Sequence, residues 1–266
     1  MILFYQKPEF LQKFIQLIRD CDQKILEIYK KDFTIEYKKD ESPLTIADKI
    51  SNKHICNFLQ ELNIELEQET NEKFLIISEE NKTIDYEIRK NYNYCWLVDP
   101  IDGTKEFIKK NGEFTVNIGL IYNRIPIFGI VSIPVQNIIY YGIEGVGSYK
   151  LLDNNDKIKL IIIKNKMNDN IIKIVASKSH LNEDTKKFIN SYSNYELISI
   201  GSSIKLLFIA DNQAHIYPRV APTYEWDTCA SHAVVKYAGG NVYEFNKINE
   251  LVYNKENLLN PYFIAQ

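Results

Sequence analysis

The chain has 266 residues, 45% hydrophobic and 25% charged, with a formal net charge of −3. That length predicts one two-lobed unit or two small domains with a sizeable core. The weak net charge excludes a bulk field that would draw a nucleic-acid polymer or an anionic membrane, so an anionic substrate needs a local basic patch or bound cations.

At the N-terminus Lys7, Glu9 and Lys13 interrupt any apolar run, which argues against a secretory leader. No apolar stretch approaches the ~18–20 residues that cross a bilayer. Phe10 to Lys31 predicts an amphipathic helix, with Phe14, Leu17, Ile18, Cys21 and Ile25 at helical spacing. A polar break, Tyr37 to Pro43, separates it from a second helix over Thr45 to Asn63. That helix has Ile46, Ile50, Ile55, Phe58, Leu59 and Leu62 inward and Asp48 in its first turn.

From Phe74 the pattern turns to strands. Phe74–Ile77 is a short apolar run ending at Ser78-Glu79-Glu80, and Tyr94–Val98 is another ending at Asp99. Thr115–Tyr122, Ile125–Ile133 and Ile138–Gly142 read as an antiparallel meander. Polar punctuation at Asp153–Asp156 and Asn165–Asn170 brackets a lobe boundary, giving an N-terminal α+β lobe, 1–160, and a C-terminal α/β lobe, 161–266. In the second lobe strands Ile171–Ala176, Glu196–Ile200 and His215–Tyr217 alternate with helices Glu183–Tyr192, Ser202–Asp211 and Asp227–Ala238. Cys21, Cys56, Cys95 and Cys229 lie far apart, with no C-x-x-C pair, so neither a zinc site nor a disulfide framework is signalled. A reducing cytoplasm fits that usage.

Two apolar strands thus end in carboxylates, at Glu79 and Asp99. Pro100 fixes its own φ and Gly103 permits a tight turn, so Asp99, Asp102 and the carbonyl of Ile101 can face one point. Hard oxygen donors of this kind suit Mg²⁺. Thr104 places a hydroxyl beside the acids. Read alone, D-P-x-D-G is an ordinary turn, and Ser78-Glu79-Glu80 is a helix cap. The longer string Trp96-Leu97-Val98-Asp99-Pro100-Ile101-Asp102-Gly103-Thr104 favours a site.

With Ser78-Glu79-Glu80 before it and Glu225-Trp226-Asp227-Thr228-Cys229-Ala230 after it, that string resembles the lithium-sensitive, magnesium-dependent phosphatases of the inositol monophosphatase superfamily. Lys39 to Asp48, Ser177-Lys178-Ser179-His180, Gly201 to Lys205 and Tyr217-Pro218-Arg219 resemble the bacterial 3'(2'),5'-bisphosphate nucleotidase branch. One departure is Ala230-Ser231-His232, where the family has Ala-Gly; it is expected to alter only helix packing.

The resemblance implies a layered αβαβα sandwich, mixing α+β and α/β character, with an antiparallel first sheet and a metal site in the cleft between the lobes. It implies two to three Mg²⁺ ions: one on Glu79, Asp99 and the Ile101 carbonyl; one on Asp99, Asp102 and Asp227; and a weaker one on Glu79 and water. Asp48 and Thr104 would activate the attacking water, with Glu80 an acid behind the ligands. Gly103, Thr104, His180, Ser202, Lys205, Arg219 and Asp227 would contact substrate. Lys205 and Arg219 are suitable cations for a second phosphate. Ser202, three residues before Lys205, would share its helix face, and that helix's first turn would offer free N–H groups.

The implied reaction is hydrolysis of adenosine 3',5'-bisphosphate to AMP and phosphate, inhibited by Li⁺. Competing readings are an inositol or sugar phosphatase and a non-enzymatic metal and nucleotide-binding module. The implied setting is cytoplasmic, as a monomer or homodimer, with loose association on the cytoplasmic membrane face left open.

Overall fold

A computed structural model describes residues 3–38, 41–154, 156–163, 171–177, 182–246 and 248–266. Helix α1 (Pro8–Tyr29) starts with proline at its first turn, where the missing N–H costs nothing. Strands β1 (Ile35–Tyr37) and β2 (Pro43–Thr45) form a small hairpin that leads into α2 (Ile46–Thr70). Thr45 caps α2: its hydroxyl accepts from Ala47 N at 3.2 Å, while Asp48 reaches back to Thr45 N at 2.8 Å. Asn71, with φ +57°, ends the helix. Ile46 and Ile50 are 44% and 38% exposed rather than inward. Ile55, Leu59, Leu62 and Leu66 set the buried face, and Asp48 and Ser51 take the places expected of the two isoleucines.

Next come β3 (Phe74–Ser78), α3 (Tyr86–Arg89), β4 (Tyr94–Asp102), α4 (Thr104–Ile108), β5 (Thr115–Tyr122), β6 (Ile125–Ile133), β7 (Ile138–Ile143), β8 (Gly147–Leu151) and β9 (Lys157–Leu160). Among the described residues β3 to β9 form a seven-stranded sheet in chain order. It is antiparallel except for β3 and β4, which run parallel; the expectation of a wholly antiparallel sheet is corrected there. Parallel pairing requires a crossover between the strands, and residues 79–93, with α3, supply it. Strand alternation feeds two cores. Trp96 and Val98 face α1 and α2, in a layer that includes Phe10, Phe14 and Phe128. Cys95 and Leu97 face the opposite side.

The remaining elements are β10 (Ile172–Ser177), α5 (Glu183–Ile189), β11 (Tyr195–Ile200), α6 (Ile204–Ala210), β12 (Tyr217–Arg219), α7 (Cys229–Tyr237), β13 (Val242–Glu244) and β14 (Phe263–Ala265). Strands β10 and β11 pair in parallel, and β14 pairs antiparallel with β12 and β13. A bridge between Ile174 and Ile216 joins the two groups into a second sheet. Helices α6 and α7 share one core with both sheets, and α5 lies against β12. This is the αβαβα order.

Helix α7 lies unusually close to the first sheet. Gly119, Gly129 and Gly142 stand side by side on β5, β6 and β7. A Cβ at Gly119 would come 2.6 Å from Cys229 Sγ, at Gly129 2.8 Å from Ala233 Cβ, and at Gly142 2.7 Å from Val234 Cα. Only glycine leaves room for that approach.

Candidate active site

Because β3 and β4 run parallel, their C-terminal ends open on the same edge. Glu79 N donates to Val98 O at 3.1 Å, which sets Glu79 beside Asp99. Between Asp99 and Asp102 the register against β5 shifts, from Asn117 to Thr115. Strand β4 therefore continues through Asp102 instead of stopping at Asp99, and it bulges at Pro100, which has no N–H to give the ladder. Asp99 Oδ1 accepts from Ile101 N at 3.1 Å. Ser51, on α2, donates to Pro100 O at 3.1 Å and lies 2.9 Å from Cys21 Sγ on α1, so both helices brace the bulge.

Asp227 arrives from the segment between β12 and α7. It sits in a single-turn 3-10 helix, Glu225–Asp227, and not on α7, which begins at Cys229. Its carboxylate turns back to accept from Tyr224 N at 2.8 Å, a geometry the tighter turn permits. Glu79, Asp99 and Asp227 each present an oxygen, and these atoms lie within 4.8 Å of one another.

Burial, and then repulsion from Glu79 and Asp102, pushes Asp99 and Asp227 well above the usual carboxylate range. Burial also raises Glu79, against the pull of Lys38. An all-oxygen, mutually repelling set fits a hard divalent cation.

Asp102 stands next to this group. Its Oδ2 accepts from Ser202 Oγ at 2.9 Å and Ser203 N at 2.5 Å, reaching the start of α6. The Ile101 carbonyl accepts from Thr104 Oγ1 at 3.3 Å. Thr104 also donates to Asp48 Oδ1 at 3.1 Å, so the pair expected to handle a proton is assembled. Gly103 turns the chain between them, with φ +95°. Asp48 is 2% exposed; burial raises its pKa, opposed by hydrogen bonds from Thr45 and Thr104.

Beside the acids lies a cavity of about 150 Å³ whose lining includes Asp102, Gly103, Glu106, Ser202, Lys205 and Arg219. Lys205 is 5% exposed, and burial lowers its pKa to about 8. Its ammonium donates to Ser202 O at 2.5 Å. Arg219 donates to the carbonyls of Ala221 and Pro222 at 3.2 and 2.9 Å. Ser202 is not on the helix with Lys205. Its φ is +57°, α6 starts at Ile204, and Ser203 N is taken by Asp102 instead of standing free. His180 lies outside the described residues, as do Lys39, Asp40, Lys178 and Ser179.

The model of the inositol monophosphatase family matches residues 7–262. The chain belongs to that family. It is 36% identical over 263 residues to the 3'(2'),5'-bisphosphate nucleotidase CysQ of Escherichia coli K12, covering 95% of this chain and 98% of the relative. It is 34% identical over 262 residues, with the same coverage, to the Salmonella typhimurium protein of that name. The crystal structure of CysQ from Bacteroides thetaiotaomicron superposes with a TM-score of 0.81 at 39% identity, covering 96% of each chain. An inositol monophosphatase structure from Thermotoga maritima, at 20% identity and a TM-score of 0.73, shares the fold.

Within this family site, two residues escaped the sequence reading. Lys38 Nζ lies 2.7 Å from Glu79 Oε1 and 2.6 Å from Glu80 Oε1, bridging both acids. Burial works against the charge on Lys38, but Glu79 and Glu80 more than offset it and raise its pKa. A basic residue just before the expected loop was the available signal, yet nothing local said that the hairpin would carry it to Glu79. Glu106 is the second. It lines the cavity and faces Lys205, which is far from it in sequence. Glu225 itself is fully buried and bonded to Lys255 at 2.5 Å, away from the cavity.

Proposed function

We propose that the chain is a Mg²⁺-dependent phosphatase that hydrolyses adenosine 3',5'-bisphosphate to AMP and phosphate. The observation that carries this reading is the carboxylate cluster lying next to a cavity that holds Lys205 and Arg219. The first suits a scissile phosphate, the second a further phosphate on the same substrate. The relatives named as bisphosphate nucleotidases support the same choice.

Glu79, Asp99, Asp102, Asp227 and the Ile101 carbonyl would hold two Mg²⁺ ions, with a weaker third on Glu79. Ions in such sites neutralise charge on the phosphoryl oxygens and lower the pKa of water. Asp48 accepts the Thr104 hydroxyl proton, which leaves a Thr104 lone pair to receive a proton from the attacking water. The raised pKa of Asp48 makes it a better base. The new P–O bond forms as the bond to the leaving ribose oxygen breaks, and a proton from solvent neutralises that oxygen, balancing the one the attacking water gives up towards Thr104 and Asp48.

Lys205 and Arg219 would grip the non-scissile phosphate, while Gly103 and Ser202 border it. Glu80 shares Lys38 with Glu79 and would keep that ligand oriented. Inhibition by Li⁺ belongs to this reading, with the ion occupying one metal position. Cytoplasmic location belongs to it too, supported by four buried free cysteines; no helix among the described residues is long and apolar enough to cross a membrane.

A second reading, an inositol or sugar phosphatase, draws on Glu106, an acceptor for sugar hydroxyls within the cavity. Turnover of adenosine 3',5'-bisphosphate, inositol 1-phosphate and fructose 1,6-bisphosphate with Mg²⁺ separates the two. Faster hydrolysis of inositol phosphate than of the nucleotide would reject the first reading.

A further inference from the structure

Behind Asp227 runs a buried polar chain that the proposed reaction does not use. Lys236, on α7, holds Glu250 at 2.6 Å, and Glu250 Oε1 lies 3.0 Å from His232 Nε2. His232 Nδ1 is 2.9 Å from the hydroxyl of Tyr253, whose oxygen lies 3.3 Å from Thr228 Oγ1. Asn260 Nδ2 donates to Thr228 Oγ1 at 3.0 Å and to Tyr224 O at 2.7 Å. Tyr224 N is the donor that fixes the Asp227 carboxylate, and Thr228 is the residue next to it. His232 and Tyr253 are both fully buried, Thr228 nearly so. Neither His232 nor Tyr253 lines the cavity.

The proton arrangement is settled by Glu250. Its carboxylate is held ionised: burial opposes this, but His232 and Lys236 bring its pKa down to about 2. An ionised carboxylate only accepts, so His232 Nε2 carries the proton and Nδ1 accepts from Tyr253. The Tyr253 oxygen then faces Thr228 Oγ1 at 3.3 Å, and Thr228 shares its one hydroxyl proton between that oxygen and Glu225 O, also at 3.3 Å. Glu250, His232 and Tyr253 are each partnered, as a buried polar chain requires, while Asn260 Oδ1 at the inner end has no partner among the described residues. An apolar filling of the same space would remove the contacts that reach Thr228, leaving the 3-10 turn held at its other end, where Glu225 accepts from Asn254 N and Lys255 N.

We propose that Glu250, His232 and Tyr253 form a tether that positions the Asp227 turn for metal capture. His232 and Tyr253 are positioning residues acting through Thr228 and Asn260. This rests on Asp227 being a metal ligand. The sequence departure at Ser231 is local packing: among the described residues Ser231 Oγ donates to Thr228 O, at 3.1 Å. His232, one residue on, has the larger part.

The test is Mn²⁺ binding to the whole protein, measured by calorimetry without substrate. Tyr253→Phe keeps the ring and removes the link. Its Kd for Mn²⁺ is expected to rise roughly 10-fold, the lower range for losing an outer partner of a metal site. His232→Leu should match it, while His232→Asn, which can still donate and accept, should recover part of the affinity. The KM for nucleotide should stay near wild type at saturating metal.

Folded Tyr253→Phe that binds Mn²⁺ as tightly as wild type overturns the tether. If Tyr253→Phe does not fold, Glu250→Ala decides by the same measure, because the Glu250 side chain is 24% exposed at the outer end of the chain. A wild type that binds no Mn²⁺ overturns the metal reading itself, and is thereby told apart from failure of the tether alone.

Discussion

Thr104 Oγ1 donates to Asp48 while Thr45 occupies the other carboxylate oxygen from both its N–H and its hydroxyl. Asp48 thus caps the helix and accepts the Thr104 hydrogen bond at once. Thr104→Ala should lower kcat by ~10²–10⁴, the usual worth of a positioned acid–base group, while Mn²⁺ binding by calorimetry stays unchanged. Lys205 has a pKa of about 8, so its charge is present below that value and lost above it. The KM for the bisphosphate should therefore rise as pH passes about 8. A substrate lacking the second phosphate should show no such rise, which a KM profile against pH will check. At this scale the Asp99–Thr104 string was legible because its chemistry is contiguous in the chain. Lys38 and Glu106 were not, since each meets its partners only through the tertiary fold.

Among elements, the strands and long helices could be read from periodicity, and their phases were harder. Ile46 and Ile50 misled because apolar residues at helical spacing do not say where a buried face begins; the capping residues at Thr45 and Asp48 decide that here. Ser202 misled because a non-glycine residue with positive φ has no strong sequence mark. The glycine row under α7 was also invisible, since its members lie on separate strands. Gly129→Ala should destabilise the fold by ~1–3 kcal/mol through overpacking. It should also weaken Mn²⁺ binding, because the helix that must shift is the one that follows Asp227. Chemical denaturation and calorimetry on the same variant measure both. Intact metal affinity in a destabilised Gly129→Ala would separate α7 from the site.

For the whole molecule, the two sheets share the core formed around α6 and α7, and the acids come from both sides of it. Removing divalent metal with a chelator should lower the melting temperature, since an ion present at 100 times its Kd adds about 2.7 kcal/mol. A melt with and without Mg²⁺ tests this.

Stability should also carry a signature far from the cleft. Burial raises Asp22 to about 7 from 3.8, with a hydrogen bond from Ser132 opposing. A raised carboxylate favours the fold only while protonated. Its contribution is complete below 3.8 and is lost as pH climbs to about 7. Asp22→Asn can keep the Ser132 bond and should gain on wild type across that window, by at most about 4 kcal/mol at 1.4 per pKa unit. Urea melts at several pH values would show the gain, and parallel curves would refute it.

Lys38 gives the cleft a resident cation before any ion arrives. On the reading that Glu79 holds an ion, that ion would meet an ammonium already seated on Glu79 Oε1, so uptake would be an exchange of cations rather than the filling of a bare acidic hole. Lys38 would keep Glu80 as its partner through that exchange.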